Sequence, residues 1–199
     1  MIKIRVDAKA LNYINRFASK EATRYVLNGV YFAPNFDLVA TDGHRLGRLA
    51  DGYTLAEDSE PRRPSGLIIS TKADKVTAAA LKRLRGQITI TADAEPNGVD
   101  VSYKNIVARD SFGQSVVLYE VDATYPNYEK VIPESTDATE SNKVAFNPSY
   151  MSDFAGYEKN DRLQIEIRDA LSPILVKNSA LDNFTGVLMP VRWDAVSKS

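Results

Sequence analysis

Residues 66–91 read GLIISTKADKVTAAALKRLRGQITIT. Gly66 to Ser70 is a short apolar strand, and Thr71 is a capping residue for a helix that runs to about Arg85. Gln87 to Thr91 then opens another strand, with further strands at Gly98 to Tyr103, Ile106 to Asp110 and Ser115 to Ala123. The same order stands upstream. Ile2 to Val6 alternates as a strand, and Asp7 caps a helix across Ala8 to Ser19 with Leu11, Ile14 and Phe17 or Ala18 on one face. Strand-like runs follow at Arg24 to Phe32, Phe36 to Thr41 and Arg45 to Leu49, the last two joined by an Asp42-Gly43 turn. Downstream the order occurs again: a strand at Val144 to Phe146, a helix opened by Asn147-Pro148 and running to about Tyr157, then strands at Leu163 to Ile167, Pro173 to Val176 and Phe184 to Pro190. A fixed order of elements that recurs is a repeat architecture. It predicts an α+β fold of strand-helix-strands modules, with antiparallel sheets carrying helices on one face.

The repeat sets the expected domains. Modules at 1–52 and 66–133 make one complete domain, 1–133, joined through the polar loop GYTLAEDSEPRRPSG. The stretch 134–143, ESTDATESNK, has no large apolar side chain to pack and reads as a linker. Residues 144–193 hold a single module, half a domain, and 194–199 form a tail.

Composition narrows the function. The chain has 199 residues and is 44% hydrophobic, enough to build a core without cross-links. Its lack of cysteine excludes disulfide scaffolds, thiolate metal sites and thiol nucleophiles, and its one histidine, His44, excludes multi-histidine metal sites. No cofactor motif is present: Walker A and Gly-x-Gly patterns are both missing. A hydrolase would have to be built on His44, which stands in a hairpin with no nucleophile elbow anywhere in the chain. The alternating N-terminus and the absence of a long apolar run predict a soluble, cytoplasmic protein. With 25 basic and 26 acidic residues the net charge is −1, so any nucleic-acid contact needs basic residues sorted onto one surface.

Such sorting is seen on the second helix. A helical wheel sets Val76, Ala80 and Leu84 on one side and Lys75 and Lys82 across from them, with Lys72, Arg83 and Arg85 nearer the edges. The first helix adds Lys9, Arg16 and Lys20, whereas the third offers Ser152, Asp153 and Gly156. A basic face of this kind is either a solvated surface or a contact for phosphate backbones, and composition alone does not choose. Three clusters also combine apolar and basic residues: Thr41-Asp42-Gly43-His44-Arg45-Leu46, Tyr125 to Pro133, and Val187 to Trp193. Each reads as a turn, a connector or a strand end, and together they supply the apolar walls and charge that a peptide-binding groove uses.

In this order the clusters resemble the bacterial DNA polymerase sliding clamp, the beta subunit of the replicative polymerase. Arg24 to Val30 followed by Val39 to Leu46 is similar to the first half of the clamp's middle domain. Tyr125 to Pro133 resembles the segment closing that domain, and Met189-Pro190-Val191-Arg192 resembles the family's terminal signature. The resemblance implies a non-catalytic processivity factor, an oligomeric ring around duplex DNA that binds without regard to sequence. Lys9, Arg16, Lys20, Lys72, Lys75, Lys82 and Arg83 would face the DNA. It also implies a pocket for short peptide motifs of the replicative polymerase and clamp loader. By position that pocket comprises Arg24, Thr41, Gly43, His44, Arg45, Leu46, Pro126, Lys130, Val131, Val187, Met189, Pro190, Val191 and Arg192. Leu46, Val131, Val187 and Met189 would receive the partner's apolar anchors. Lys130 and Val191 replace the arginine and methionine more usual in the family, which bears on the choice of partner.

Three modules are half of an ordinary clamp chain. About twelve modules complete a ring in the family, so four such chains would close one, as a compact, phage-like clamp forming a homotetramer. The competing expectation is a non-encircling adaptor or decoy that binds the same peptides, an idea favoured by the acidic third helix.

Overall fold

The computed structural model describes residues 1–60, 66–71, 75–97, 100–133 and 144–192. It divides into two compact units: Met1–Asp42 with Arg48–Tyr125, and Gly43–Gly47 with Pro126–Ser199. Every strand pairing described in either unit is antiparallel, and the helices are few and short. The expected sheet-rich α+β class is the observed one. Among the described residues no helix is long and apolar enough to cross a membrane.

In the first unit, strand β1 (Ile2–Asp7) buries Ile2, Ile4 and Val6 and turns the intervening residues outward. Asp7 ends it and caps helix α1 (Ala8–Ile14), its carboxylate accepting the Ala10 N–H at 2.9 Å. The helix was expected to reach Ser19. It instead tightens into a 3-10 turn at Asn15–Phe17 and gives way to extended backbone at Ala18, which lets the Ser19 N–H reach the Leu27 carbonyl at 2.8 Å. Arg24 to Asn28, read from sequence as strand, is also different. Ala22–Leu27 is 3-10 helical with a kink at Arg24, and strand β2 is only Gly29–Phe32.

Strands β3 (Leu38–Thr41) and β4 (Arg45–Leu49) follow, with Gly43 between them at φ 89°, the left-handed conformation that the Asp42-Gly43 turn predicts. Within the long polar loop, β5 (Thr54–Leu55) adds to the edge of β1. The second module contributes β6 (Leu67–Ser70), helix α2 (Lys75–Leu81), β7 (Gln87–Asn97), β8 (Asp100–Asp110) and β9 (Ser115–Glu120). The two strands expected at 98–103 and 106–110 are one. Asn105 takes φ 52° and β8 continues through it, with a register shift facing Thr91 and Asp93 on β7. The order across this unit is β3-β2-β6-β9-β8-β7-β1-β5. The two modules are thereby interlocked, since each lends its first strand to the other: β1 pairs with β7 and β6 pairs with β2. The Thr71 hydroxyl donates to Asn15 Oδ1 at 2.6 Å, a further tie between them.

In the second unit, β10 (Leu163–Glu166), β11 (Ile174–Asn178) and β12 (Leu181–Leu188) form a meander. Asn147 caps helix α3 (Pro148–Met151), which passes into a 3-10 turn at Ser152–Phe154 and stops short of the expected Tyr157. Early termination drives Phe154 into the core, where it meets Phe184 edge-on with ring centroids 6.4 Å apart. Gly186 makes room for it: a Cβ there would lie 2.4 Å from Phe154 Cε1. The strand expected at Val144 to Phe146 is reduced to one bridge, Ala145 to Val191.

The loop after Phe154 is organised by Asp161. Its carboxylate accepts the amides of Gly156, Tyr157 and Glu158 and the Asn178 side chain. Burial acts to raise this carboxyl, but those hydrogen bonds outweigh it and hold it below the ordinary aspartate value. With a folded pKa below the unfolded one, the contribution to stability is complete above about pH 3.9 and is lost as pH falls through the folded value. Asp161→Asn is expected to lower the melting temperature of the second unit at pH 7 and to flatten its acid limb below about pH 4. An unchanged acid limb in the variant would contradict this role.

Candidate functional site

The structure gathers most of the predicted pocket residues onto the second unit. Gly43 to Leu46 run beside the end of β12, and the Met189 N–H donates to the His44 carbonyl at 2.9 Å. Two residues further, the Val191 N–H donates to the Ala145 carbonyl at 2.8 Å, which fixes the course of Met189 to Arg192. Two of the three clusters singled out in the sequence are thus joined by backbone hydrogen bonds.

Side chains divide by exposure. Leu46 and Val187 are buried, at 3% and 1%. Val131, Met189 and Val191 stand 42%, 37% and 40% exposed, more than such apolar side chains usually are. Pro126 and Lys130 are exposed, Lys130 within the 3-10 turn Glu129–Val131, and Pro190 is half-buried beside the exposed Arg192. Arg24 and Thr41 belong to the first unit, where the Arg24 guanidinium donates to the Asp42 carbonyl at 2.6 Å and its Nε lies 3.2 Å from Glu21.

Around His44 and Arg45 the structure adds two residues that the sequence reading did not place in the site. Tyr150, on α3, stacks on the His44 ring at 5.7 Å and 11°, and the Arg45 guanidinium carbon lies 4.8 Å from the Tyr150 ring centroid. Arg45 is itself nearly buried and is ion-paired with Asp153. Asp153 was expected to be an acidic face of the third helix turned to solvent. It is instead the counter-ion of a buried arginine. The apolar-polar rhythm of a helix could not give this, because the helix ends at Met151 and the partner is more than a hundred residues away in the chain.

The basic residues of the first unit stand apart from one another in element but share exposure. Lys9 lies on α1, Arg16 on the following turn with its guanidinium 5.3 Å from the Tyr13 ring, and Lys20 just beyond. Lys75, Lys82 and Arg83 are exposed on or just after α2, while Lys72 falls outside the described residues. The wheel for this helix needs rotation. Thr77, Leu81 and Leu84 are its buried stripe, and Val76, expected inward, is 79% exposed beside Lys75. Among the described residues, no group of acidic residues and histidine is arranged to hold a metal ion.

This architecture is that of the bacterial sliding clamps. Residues 120–192 match the family model of the DNA polymerase III beta subunit, C-terminal domain. The chain is similar in structure to the beta subunit from Thermotoga maritima at 19% identity and TM-score 0.68, covering 96% of this chain and 66% of that one. It is similar to the beta clamp of Caulobacter crescentus at 21% identity and TM-score 0.70, covering 96% and 65%. The clamp of Bartonella birtlesii, solved bound to griselimycin, matches at 26% identity and TM-score 0.65, covering 96% and 66%. Each match thus spans a little under two thirds of the clamp's own length. No curated protein matches the chain by sequence.

Proposed function

We propose that this chain is a sliding clamp, an accessory subunit without a catalytic site of its own that tethers replication proteins to duplex DNA. The observation that carries the reading is the hydrogen-bonded junction of Gly43 to Leu46 with Met189, which unites the two family-like segments on one surface. Met189, Val191 and Val131 are exposed apolar side chains of the second unit that a peptide could contact, and His44, Lys130 and Arg192 are exposed polar and basic groups of the same unit. The partners are a polymerase and a clamp loader that present short peptide motifs. The exposed basic residues of the first unit serve DNA by sequence-independent phosphate contact. No enclosing grip is needed, because a closed ring retains DNA by topology.

A ring of about twelve modules takes four copies of a three-module chain, and closed symmetry favours a dihedral tetramer. Such a protein works in the cytoplasm beside the nucleoid. The ion pair of Asp153 with Arg45 weakens the motive for the decoy alternative, which rested on Asp153 as a free acidic group.

Titration of a labelled peptide with two apolar anchors, of the kind clamp loaders present, tests the pocket. Saturable binding is expected, and Met189→Glu is expected to weaken it at least tenfold, because a charge replaces an anchor contact. Equal affinity in the variant, with an unchanged circular dichroism spectrum, would contradict the assignment.

A further inference from the structure

The two modules of the first unit complete each other by exchanging first strands, and the third module carries the same two docking edges with no mate among the described residues. In the first module, β1 is held on one side by β5, a short segment that follows the module's last strand, with Arg5 opposite Thr54. On its other side it pairs with β7 over six positions, including Ile4 to Ile90 and Val6 to Ile88. The third module repeats the first half of this arrangement: Ala145 bridges Val191, just past β12. Ala145 therefore corresponds to Arg5, Val144 and Phe146 correspond to Ile4 and Val6, and Asn147 corresponds to the cap Asp7. The side that β7 occupies on β1 has no strand beside Ala145 among the described residues.

The counterpart of β7 and β2 in the third module is β10, the terminal strand of the sheet order, with β11 as its one neighbour among the described residues. Its sequence, Leu163-Gln164-Ile165-Glu166, alternates as β7 does. On β7 that alternation is buried: Ile88 and Ile90 are 0% and 1% exposed. On β10, Ile165 is 42% exposed, although Val176, directly opposite it on β11 and on the same face, is fully buried. The core of the third module stops one strand short.

We propose that the third modules of two copies of this chain pair about a two-fold axis and rebuild between chains the domain that the first two modules build within one. Val144 to Phe146 of each copy adds antiparallel to the β10 edge of the other. Keeping apolar residues on one face, and starting as Val6 does near the first residues of β7, sets Phe146 opposite Leu163 and Val144 opposite Ile165. An isologous contact of this kind satisfies both edges of the third module at once. It supplies one of the contacts that the ring reading requires. Its test uses neither DNA nor peptide, so that its failure and the failure of peptide binding are separate results.

The absence of native cysteine makes the register directly testable. Directly opposed residues of antiparallel strands lie about 4.5–5.5 Å apart at Cα, within disulfide range. Chains carrying Val144→Cys alone and Ile165→Cys alone are mixed and mildly oxidised. The mixture is expected to give at least tenfold more disulfide-linked dimer than either variant by itself. Ile165→Lys, at an exposed position that leaves the monomer intact, is expected to halve the mass measured by light scattering. Equal linkage in all three samples, or an unchanged mass for a folded Ile165→Lys chain, would overturn the proposal.

Discussion

Phe154→Ala is expected to cost the second unit about 3–5 kcal/mol, enough to unfold a small half-domain on its own. The ring is fully buried, packs edge-on against Phe184 and fills the space that Gly186 leaves open. Its removal opens a cavity at the centre of the unit, between the turn after α3 and the strands β11 and β12. Because the carbonyl of the same residue accepts the Asn178 side chain at 2.9 Å, loosening the backbone there also releases a buried polar group. Thermal unfolding followed by hydrogen exchange should show amides of residues 144–192 losing protection while those of β7 and β8 keep it. Uniform loss of protection across the chain would show that the two units unfold together.

Asp153→Ala is expected to have the next largest effect, about 2 kcal/mol, because it strands a nearly buried guanidinium; the partial exposure of Asp153 discounts the penalty of a fully buried pair. The ring face of Tyr150 still meets Arg45. Peptide affinity is expected to fall several-fold without any change to an exposed pocket residue, since Arg45 is no longer fixed beside His44. A double-mutant cycle with Arg45→Ala isolates the interaction. Additive losses would mean that the pair does not act as a unit.

What the sequence made legible was the order of elements, because hydrophobic period, capping residues and the Asp42-Gly43 turn are local signals. Asp7 caps α1 and Asn147 caps α3, as read. The limits of those elements were not local. Residues 24–27 carry strand-like composition, yet lie in a 3-10 helix whose carbonyl at Leu27 is needed by Ser19. The break placed between two strands near residue 104 was an asparagine able to take positive φ inside one long strand. On α2 the wheel put Val76 inward, but the tertiary neighbours chose Thr77, Leu81 and Leu84. For the candidate site, the clusters at 41–46 and 187–192 were visible through their resemblance to the clamps. The roles of Tyr150 and Asp153 were not, because a stacking face and a counter-ion are defined by what folds against them.

The account rests on a ring that holds DNA by topology, and retention on circular DNA measures this most directly. The protein is loaded onto a nicked circle with a bacterial clamp loader, and the fraction bound is followed at moderate salt before and after the circle is cut. Retention on the circle and rapid loss on linearisation are expected. A chain with Lys75, Lys82 and Arg83 changed to glutamate is expected to be loaded poorly, and its salt dependence to fall by about one unit of slope for each phosphate contact removed. Equal dissociation from circular and linear DNA would contradict encirclement, and with it the reading of this chain as a sliding clamp.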